Sequence, residues 1–347
     1  MRKLRWGVIG AGGIADRRTI PGMLMAANAE LVAVMEINPG HAQSLKNKYG
    51  AFYAYDNEAE LLNNNEVDAV YIASPVVVHA EQAIMAAKAG KHILLEKPVA
   101  MTGDEGEAVL DCCAKNGVKI AAGFMMRFGT HVLNMKQAIA DGRIGTIVSG
   151  YSQFTLWLPD GSGNWRSDKS KAGGGTLMDL GVHCIDLIEY ITNLRVTHVG
   201  ALCETTVFTY DVEDSATVLM RMENGAQCVV QANFNIPDEA AKWRLEFFGT
   251  KGRLIGEAVI GQNDGGKLNA IFLDQQRSYD SLQDYEDDQG VEIAGEFGNM
   301  YAREIESFSD SVLNNKPLIA PASDAVHVQR IVEAAYKSST DHKIYSV

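Results

Sequence analysis

Leu4-Arg5-Trp6-Gly7-Val8-Ile9-Gly10-Ala11-Gly12-Gly13-Ile14-Ala15 opens as a short apolar run and passes through closely spaced glycines into a helical pattern. An apolar run with no polar alternation reads as a strand buried on both faces, the kind found in parallel sheets. The same rhythm recurs at Glu30 to Glu36, Val67 to Ser74, His92 to Lys97 and Val118 to Phe124. Between these runs lie helical segments such as Val77 to Ala89, closed by Gly90, and Asp104 to Asn116, opened by the box Thr102-x-x-Glu105 and closed by Gly117. Strands alternating with helices make a parallel sheet joined by right-handed crossovers. Ala51 to Tyr55 is a weaker strand that would pair at one side.

After about residue 124 the pattern changes. A helix over Thr130 to Ala140 ends at Asp141-Gly142. Longer alternating runs follow at Thr146 to Leu158, Val196 to Phe208, Ser215 to Glu223, Ala226 to Ile236, Trp243 to Gly249, Arg253 to Val259 and Leu268 to Leu273. Asn224-Gly225 and Gly249-Thr250-Lys251-Gly252 predict hairpins between them. The fold class expected is α/β, with a parallel sheet over 1–124 and a second α/β domain over 125–347 built on a large, open, mostly antiparallel sheet. Residues 260–298 read as loops, with Asp284 to Asp288 as a solvated acidic surface, and helices over about Met300 to Asn314 and Ala325 to Ser338 close the chain.

A chain of 347 residues, 46% of them hydrophobic, has the material for two cores. The net charge of -13 argues against nucleic acid as the main partner, since phosphate recognition needs a basic face. The start has no apolar signal segment, and no apolar stretch is long enough to span a bilayer. Cys112, Cys113, Cys184, Cys203 and Cys228 are odd in number and lack metal-ligand spacing, so no disulfide framework and no metal site is expected. The reading is a reduced cytoplasmic protein with a small polar substrate.

The glycine turn follows a strand, opens a helix and has an acid at the end of the next strand, which is the context that makes a G-x-G-x-x-A match a dinucleotide cradle. Gly10 permits the tight turn, Gly12 lets the backbone approach a pyrophosphate, and Ala15 is small enough for the helix to pack on the strand. Gly13 and Ile14 then lie at the helix N-terminus that faces the phosphates. Glu36, 21 residues beyond Ala15, is placed to bond both ribose hydroxyls and to repel a 2′-phosphate, and no Arg or Lys follows it directly. NAD is therefore expected in preference to NADP, with Arg17 and Arg18 as the residues that pull the other way.

In such sheets ligands gather beyond the carboxyl ends of the strands. Gly10, Glu36, Ser74, Lys97 and Arg127 fall at or just past such ends, with Pro75, His79 and Glu96 beside them on the cofactor side. Lys97 follows the buried run Ile93-Leu94-Leu95, where desolvation and a cationic nicotinamide favour the neutral amine and make it a proton partner. A salt bridge to Glu96 is its structural alternative. Asp179 and His183 lie four apart in Thr176 to Tyr190 and share one face if that segment is helical, with Asp186 extending it. A histidine can take a hydroxyl proton while hydride leaves the same carbon, and a carboxylate can orient the ring. Gly173-Gly174-Gly175 before them allows close backbone approach.

These residues carry a resemblance that extends over essentially the whole chain. Trp6 to Ala15, Ala73-Ser74-Pro75 through His79, Ala89-Gly90-Lys91-His92 with Glu96-Lys97-Pro98, Gly173 to Asp186, and Glu333-Ala334-Ala335-Tyr336-Lys337-Ser338 resemble the Gfo/Idh/MocA oxidoreductases, the glucose-fructose oxidoreductase and inositol dehydrogenase superfamily. The resemblance implies a Rossmann domain followed by an α/β domain whose open sheet often serves as the oligomer interface, hence a homodimer or homotetramer. It implies hydride transfer between a nicotinamide and a hydroxyl-bearing carbon of a cyclic sugar or polyol. Lys97, Asp179 and His183 take the catalytic positions, with His183 as base, and the Lys97-Pro98 bond is commonly cis in the family. Trp165-Arg166 looks like the substrate loop of sugar-acting members, and Arg127 resembles an active-site arginine; either can instead be a structural pair. Two rivals stand beside the dehydrogenase: an epimerase or glycoside lyase/hydrolase that retains NAD and oxidises transiently, and a non-catalytic sugar sensor, which has no need of the Lys97, Asp179 and His183 set.

Overall fold

The computed structural model describes residues 2–161, 163–274, 281 and 290–347; the acidic stretch Asp284 to Asp288 lies outside them. The chain forms two compact units, one of 1–125, 164–174 and 299–330, the other of 126–163, 175–298 and 331–347.

In the first unit six strands run parallel: β1 (Leu4–Ile9), β2 (Ala29–Met35), β3 (Tyr53–Tyr55), β4 (Ala69–Ile72), β5 (His92–Leu95) and β6 (Ile120–Ala122), in the order β3-β2-β1-β4-β5-β6. Both faces are buried, as the unbroken apolar runs require. On one side Ile9, Val70, Ile72, Ile93 and Leu95 pack with Ala83, Ala86 and Val109. On the other, Trp6, Val8, Leu31, Tyr71 and Leu94 pack with Ile20, Met23, Ile305 and Phe308. The helix Gly103–Asn116 starts where the Thr102 hydroxyl accepts from Glu105 N at 3.2 Å and stops at Gly117, whose φ is 67°.

The chain passes from the first unit to the second after Met125, close to the boundary expected near residue 124, and the first unit also takes in 164–174 and 299–330. A sheet that is apolar on both faces needs cover on both, and the helix Met300–Leu313 supplies part of it from the far end of the chain. The Trp6 indole donates to Ser309 Oγ at 3.1 Å and lies 5.2 Å from the Phe308 ring. Gly22, in the helix Ile20–Met25, is where a Cβ would come within 2.8 Å of Tyr301 Cβ, so glycine lets the two helices meet.

The second unit is built on nine strands: β7 (Ile147–Thr155), β8 (Val196–Glu204), β9 (Ser215–Met222), β10 (Gln227–Asn233), β11 (Leu245–Gly249), β12 (Gly252–Glu257), β13 (Lys267–Phe272), β14 (Val291–Glu292) and β15 (Tyr345–Ser346). Their order is β14-β13-β12-β11-β7-β10-β9-β8-β15. All neighbours are antiparallel except β7 and β10, which pair in parallel in the middle of the sheet. The hairpin expected at Asn224-Gly225 joins β9 to β10, with Gly225 at φ 88°. The helix Val182–Thr192, buried throughout except Tyr190, packs on one face against β7 and β10. Leu219 of β9 and Phe248 of β11 are exposed. Among the described residues no helix is long and apolar enough to cross a membrane.

Candidate active site

The ends of β1, β2 and β4 build the glycine turn. Gly10 has a φ of 71°, and a Cβ there would lie 2.7 Å from Ser74 N, so only glycine allows two strand ends this close. Gly13, at φ 54°, has nothing within 4 Å of where a Cβ would stand. Gly12 N donates to Glu36 Oε1 at 2.7 Å, which sets the acid at the end of β2 against the turn. Ala15 is fully buried at the start of the helical stretch that follows Ile14. A glycine turn open on its outer side, a helix N-terminus and an acid at the second strand end together fit a dinucleotide. Beyond β4, the Ser74 hydroxyl bonds the Gln82 side chain, and Pro75 precedes a single helical turn over Val76–Val78.

Past β5 the chain passes through Glu96 to Lys97, whose peptide bond to Pro98 is cis. Both Glu96 oxygens are engaged. Oε1 accepts from the Tyr71 hydroxyl, which itself accepts from Thr19 Oγ1 at 3.0 Å, and Oε2 faces Lys97 N at 3.3 Å. Burial pushes the Glu96 carboxyl above the usual carboxylate range, with the Tyr71 bond and the Lys97 charge pulling it back. The Glu96 carboxyl, expected on the cofactor side, thus meets Tyr71 through one oxygen and faces the Lys97 backbone with the other.

His79, also expected on the cofactor side, is buried. It is 2% exposed, with Nδ1 at 2.8 Å from Pro98 O and Nε2 at 2.7 Å from Ser74 O. The ring lies between a carbonyl of the Ser74 loop and a carbonyl of the Lys97-Pro98 loop, and so packs between the two loops. Burial lowers its pKa, and Lys97 lowers it further. Trp165 and Arg166 belong to the same unit, on a single turn over Trp165–Ser167, with the Arg166 guanidinium 4.6 Å above the Trp165 ring. The Arg166 charge reaches the Glu96 carboxyl, and the adjoining turn Lys169–Ala172 packs on Val76–Val78. This stretch therefore stands beside the loops after β4 and β5.

In the second unit the helix begins with one wide turn over Leu177–Gly181 and continues as a regular α-helix over Val182–Thr192. Wide turns of this kind are concentrated at functional sites. Asp179 is half-buried in that turn, and His183 is 4% exposed one turn later. The His183 ring lies edge-on to Phe154 at 6.3 Å, and Phe154 lies edge-on to Trp243 at 6.1 Å. Trp243 has a φ of 46°, rare for so bulky a residue, and its indole donates to Thr155 O at 3.1 Å.

Arg127 stands in a buried pair. Its guanidinium is 3% exposed and grips Asp186 with Nη2 to Oδ1 at 2.5 Å and Nε to Oδ2 at 3.0 Å. The Tyr190 ring covers it at 4.6 Å and takes the Lys136 ammonium at 3.9 Å. Asp186 thus extends the helix face as the anchor of a buried ion pair. The sequence reading missed Tyr71, hidden in an apolar run, and Trp243, whose left-handed backbone no local pattern announces.

Residues 4–124 match the model described as oxidoreductase family, NAD-binding Rossmann fold, and residues 132–255 match the GFO/IDH/MocA C-terminal domain. The chain is 30% identical to 1,5-anhydro-D-fructose reductase of Ensifer adhaerens over 76% of its own length and 79% of that protein's. It is 28% identical to a D-xylose 1-dehydrogenase (NADP(+)) of Haloferax volcanii, over 97% of each chain. Among solved structures, levoglucosan dehydrogenase in complex with NADH and levoglucosan is similar with a TM-score of 0.87 and 25% identity, over 100% of both chains.

Proposed function

This chain belongs to the GFO/IDH/MocA oxidoreductase family, and from that premise we propose that it interconverts a secondary alcohol and a ketone on a cyclic sugar, sugar derivative or inositol, using NAD. The observation that carries the reading is the glycine turn with Glu36 closed on Gly12, in a chain that also holds Lys97 and the Asp179–His183 helix. Glu36 favours NAD because a carboxylate at the ribose repels a 2′-phosphate. Gly10, Gly12, Gly13, Ile14, Ala15, Ser74 and Pro75 form the rest of the cradle. A bound nicotinamide supplies the acceptor for the hydride. In the oxidation, His183 takes the hydroxyl proton, Asp179 orients the imidazole and steadies its charged form, and Lys97 polarises the substrate oxygen. Trp165 and Arg166 grip the ring and its hydroxyls. A homodimer or homotetramer forms through the open face of the nine-stranded sheet, where Leu219 and Phe248 are exposed.

The test is a panel of D-xylose, levoglucosan and myo-inositol with NAD or NADP, and 1,5-anhydro-D-fructose with the reduced cofactors, followed by nicotinamide absorbance. Turnover with one of them, faster with NAD than with NADP, is expected. Silence with NAD carried through purification points to a retained-cofactor epimerase or lyase, and silence with weak NAD binding to a sensor.

A further inference from the structure

We propose that Glu213, together with Tyr336, is a positioning residue that sets the register of the helix bearing Asp179 and His183. The inference rests on the proposed roles of those two residues.

A helix leaves its first four N–H groups without partners in its own backbone, and a Ser, Thr, Asp or Asn beside its start ordinarily supplies a local cap. Gly173-Gly174-Gly175 has no side chain to offer. The four groups are met from elsewhere. Gly175 N donates to Glu213 Oε2 at 2.8 Å, Leu177 N donates to Glu213 Oε1 at 2.9 Å, and Thr176 N donates to the Glu213 main-chain oxygen at 3.0 Å. The fourth, Met178 N, bonds the Tyr336 hydroxyl, which in turn donates to Glu213 Oε1 at 2.8 Å. The first regular helical bond follows, from Asp179 N to Gly175 O at 3.0 Å. Two residues from distant parts of the chain thus satisfy every orphan donor of this helix.

This cap explains the glycine run better than a ligand does. A Cβ on Gly175 would overlap the Glu213 carbonyl, so glycine is needed for the approach of the chain's own backbone. The helix start is also filled by a carboxylate, which leaves it no donors for the phosphate or carboxylate of a substrate. Burial pushes the Glu213 carboxyl up, while the donors from Gly175, Leu177 and Tyr336 pull against that shift. Glutamine cannot replace it: an amide has one acceptor oxygen, and its NH2 would face an N–H. A slip of the cap by one residue turns the first helical turn by about 100°, which would carry Asp179 off its face.

The experiment compares wild type with Glu213→Gln and Tyr336→Phe, with His183→Asn to assign the His183 resonance. The imidazole 1H–13C signals are titrated by NMR in the ligand-free protein. Glu213→Gln is expected to displace the His183 signal and its titration midpoint while the His41 and His79 signals stay in place, with a smaller change in Tyr336→Phe, which keeps the carboxylate. With the sugar that turns over in the panel, kcat is expected to fall on the order of 10- to 100-fold in Glu213→Gln, with the affinity for NAD unchanged. An unmoved His183 titration in a folded Glu213→Gln protein, whatever the loss in Tm, overturns the proposal. Should Glu213→Gln not fold, Tyr336→Phe decides in the same way. If His183→Asn itself leaves kcat unchanged, the functional reading of the site fails and the helix cap stands as structure alone.

Discussion

The loop that carries Lys97 and the helix that carries Asp179 and His183 are held still by different means. Lys97 follows a strand, and its supports are close in the fold of one sheet: Glu96 is its neighbour, Tyr71 sits on the adjacent strand, and His79 packs between its loop and the next. A strand end inherits its position from pairing on both sides, so the supports only need to fix a carboxyl and two carbonyls. A helix end has no such inheritance. The start of the Asp179–His183 helix is fixed by Glu213 and Tyr336, and its middle by the buried pair of Asp186 with Arg127. The carboxylates differ in partner: Glu96 in the first unit takes a phenol hydroxyl, whereas Asp186 in the second takes a guanidinium.

The sharpest way to break that contrast is Arg127→Ala. Removing one partner strands Asp186 as a buried charge, and a loss of about 3–5 kcal/mol in denaturant unfolding is expected, with the KM of the folded fraction unchanged. Intact stability with a raised KM would return Arg127 to the substrate. Glu36→Ala comes next. It removes the charged acceptor proposed for the ribose, and NAD affinity measured by calorimetry should weaken by about 1.5–3 kcal/mol, with NADP much less affected. Equal weakening of both cofactors would mean that Glu36 only braces the glycine turn.

Tyr71→Phe is a smaller perturbation inside the first unit. It leaves Glu96 Oε1 buried without its donor, at a cost of about 1–3 kcal/mol, read as a fall in Tm; an unchanged Tm would show that Glu96 finds another partner. The smallest effect concerns Glu304, which is 2% exposed and whose Oε1 has no hydrogen-bond partner among the described residues. Burial first, and then the nearby Glu96, raise its pKa well above the ordinary carboxylate value. The folded protein therefore holds this proton to higher pH than the unfolded chain does. Its contribution to stability is fully present below the unfolded value and is lost as pH rises through the folded one, with a slope of at most about 1.4 kcal/mol per pH unit. Glu304→Gln should flatten the decline of unfolding free energy above the carboxylate range, and an unaltered slope would refute the neutral carboxyl.

The same contrast explains what the sequence could tell. The parallel sheet, the glycine turn, Glu36 and the Glu96-Lys97-Pro98 loop were legible because each is written within one strand-turn-helix unit. The capping box at Thr102 and the hairpin at Gly225 were legible for the same reason. The return of the chain's far end to the first unit was not legible, because the cover of Trp6 by Ser309 comes from 303 residues away, where a helix pattern says nothing about its docking face. The carbonyls that face His79 and the Tyr71 hydroxyl that meets Glu96 were not legible, because the direction of a side chain depends on neighbours that spacing does not reveal. Glu213 had no signal at all, since its role is defined by backbone donors on another segment.

The central claim, that His183 takes the proton while the glycine turn holds the cofactor independently of it, is tested most directly by kcat for His183→Asn alongside its affinity for NAD. We expect turnover of the panel sugar to fall by about 100- to 10,000-fold, the usual span for a general base, with NAD binding as in wild type. Wild-type turnover in that variant would contradict the account.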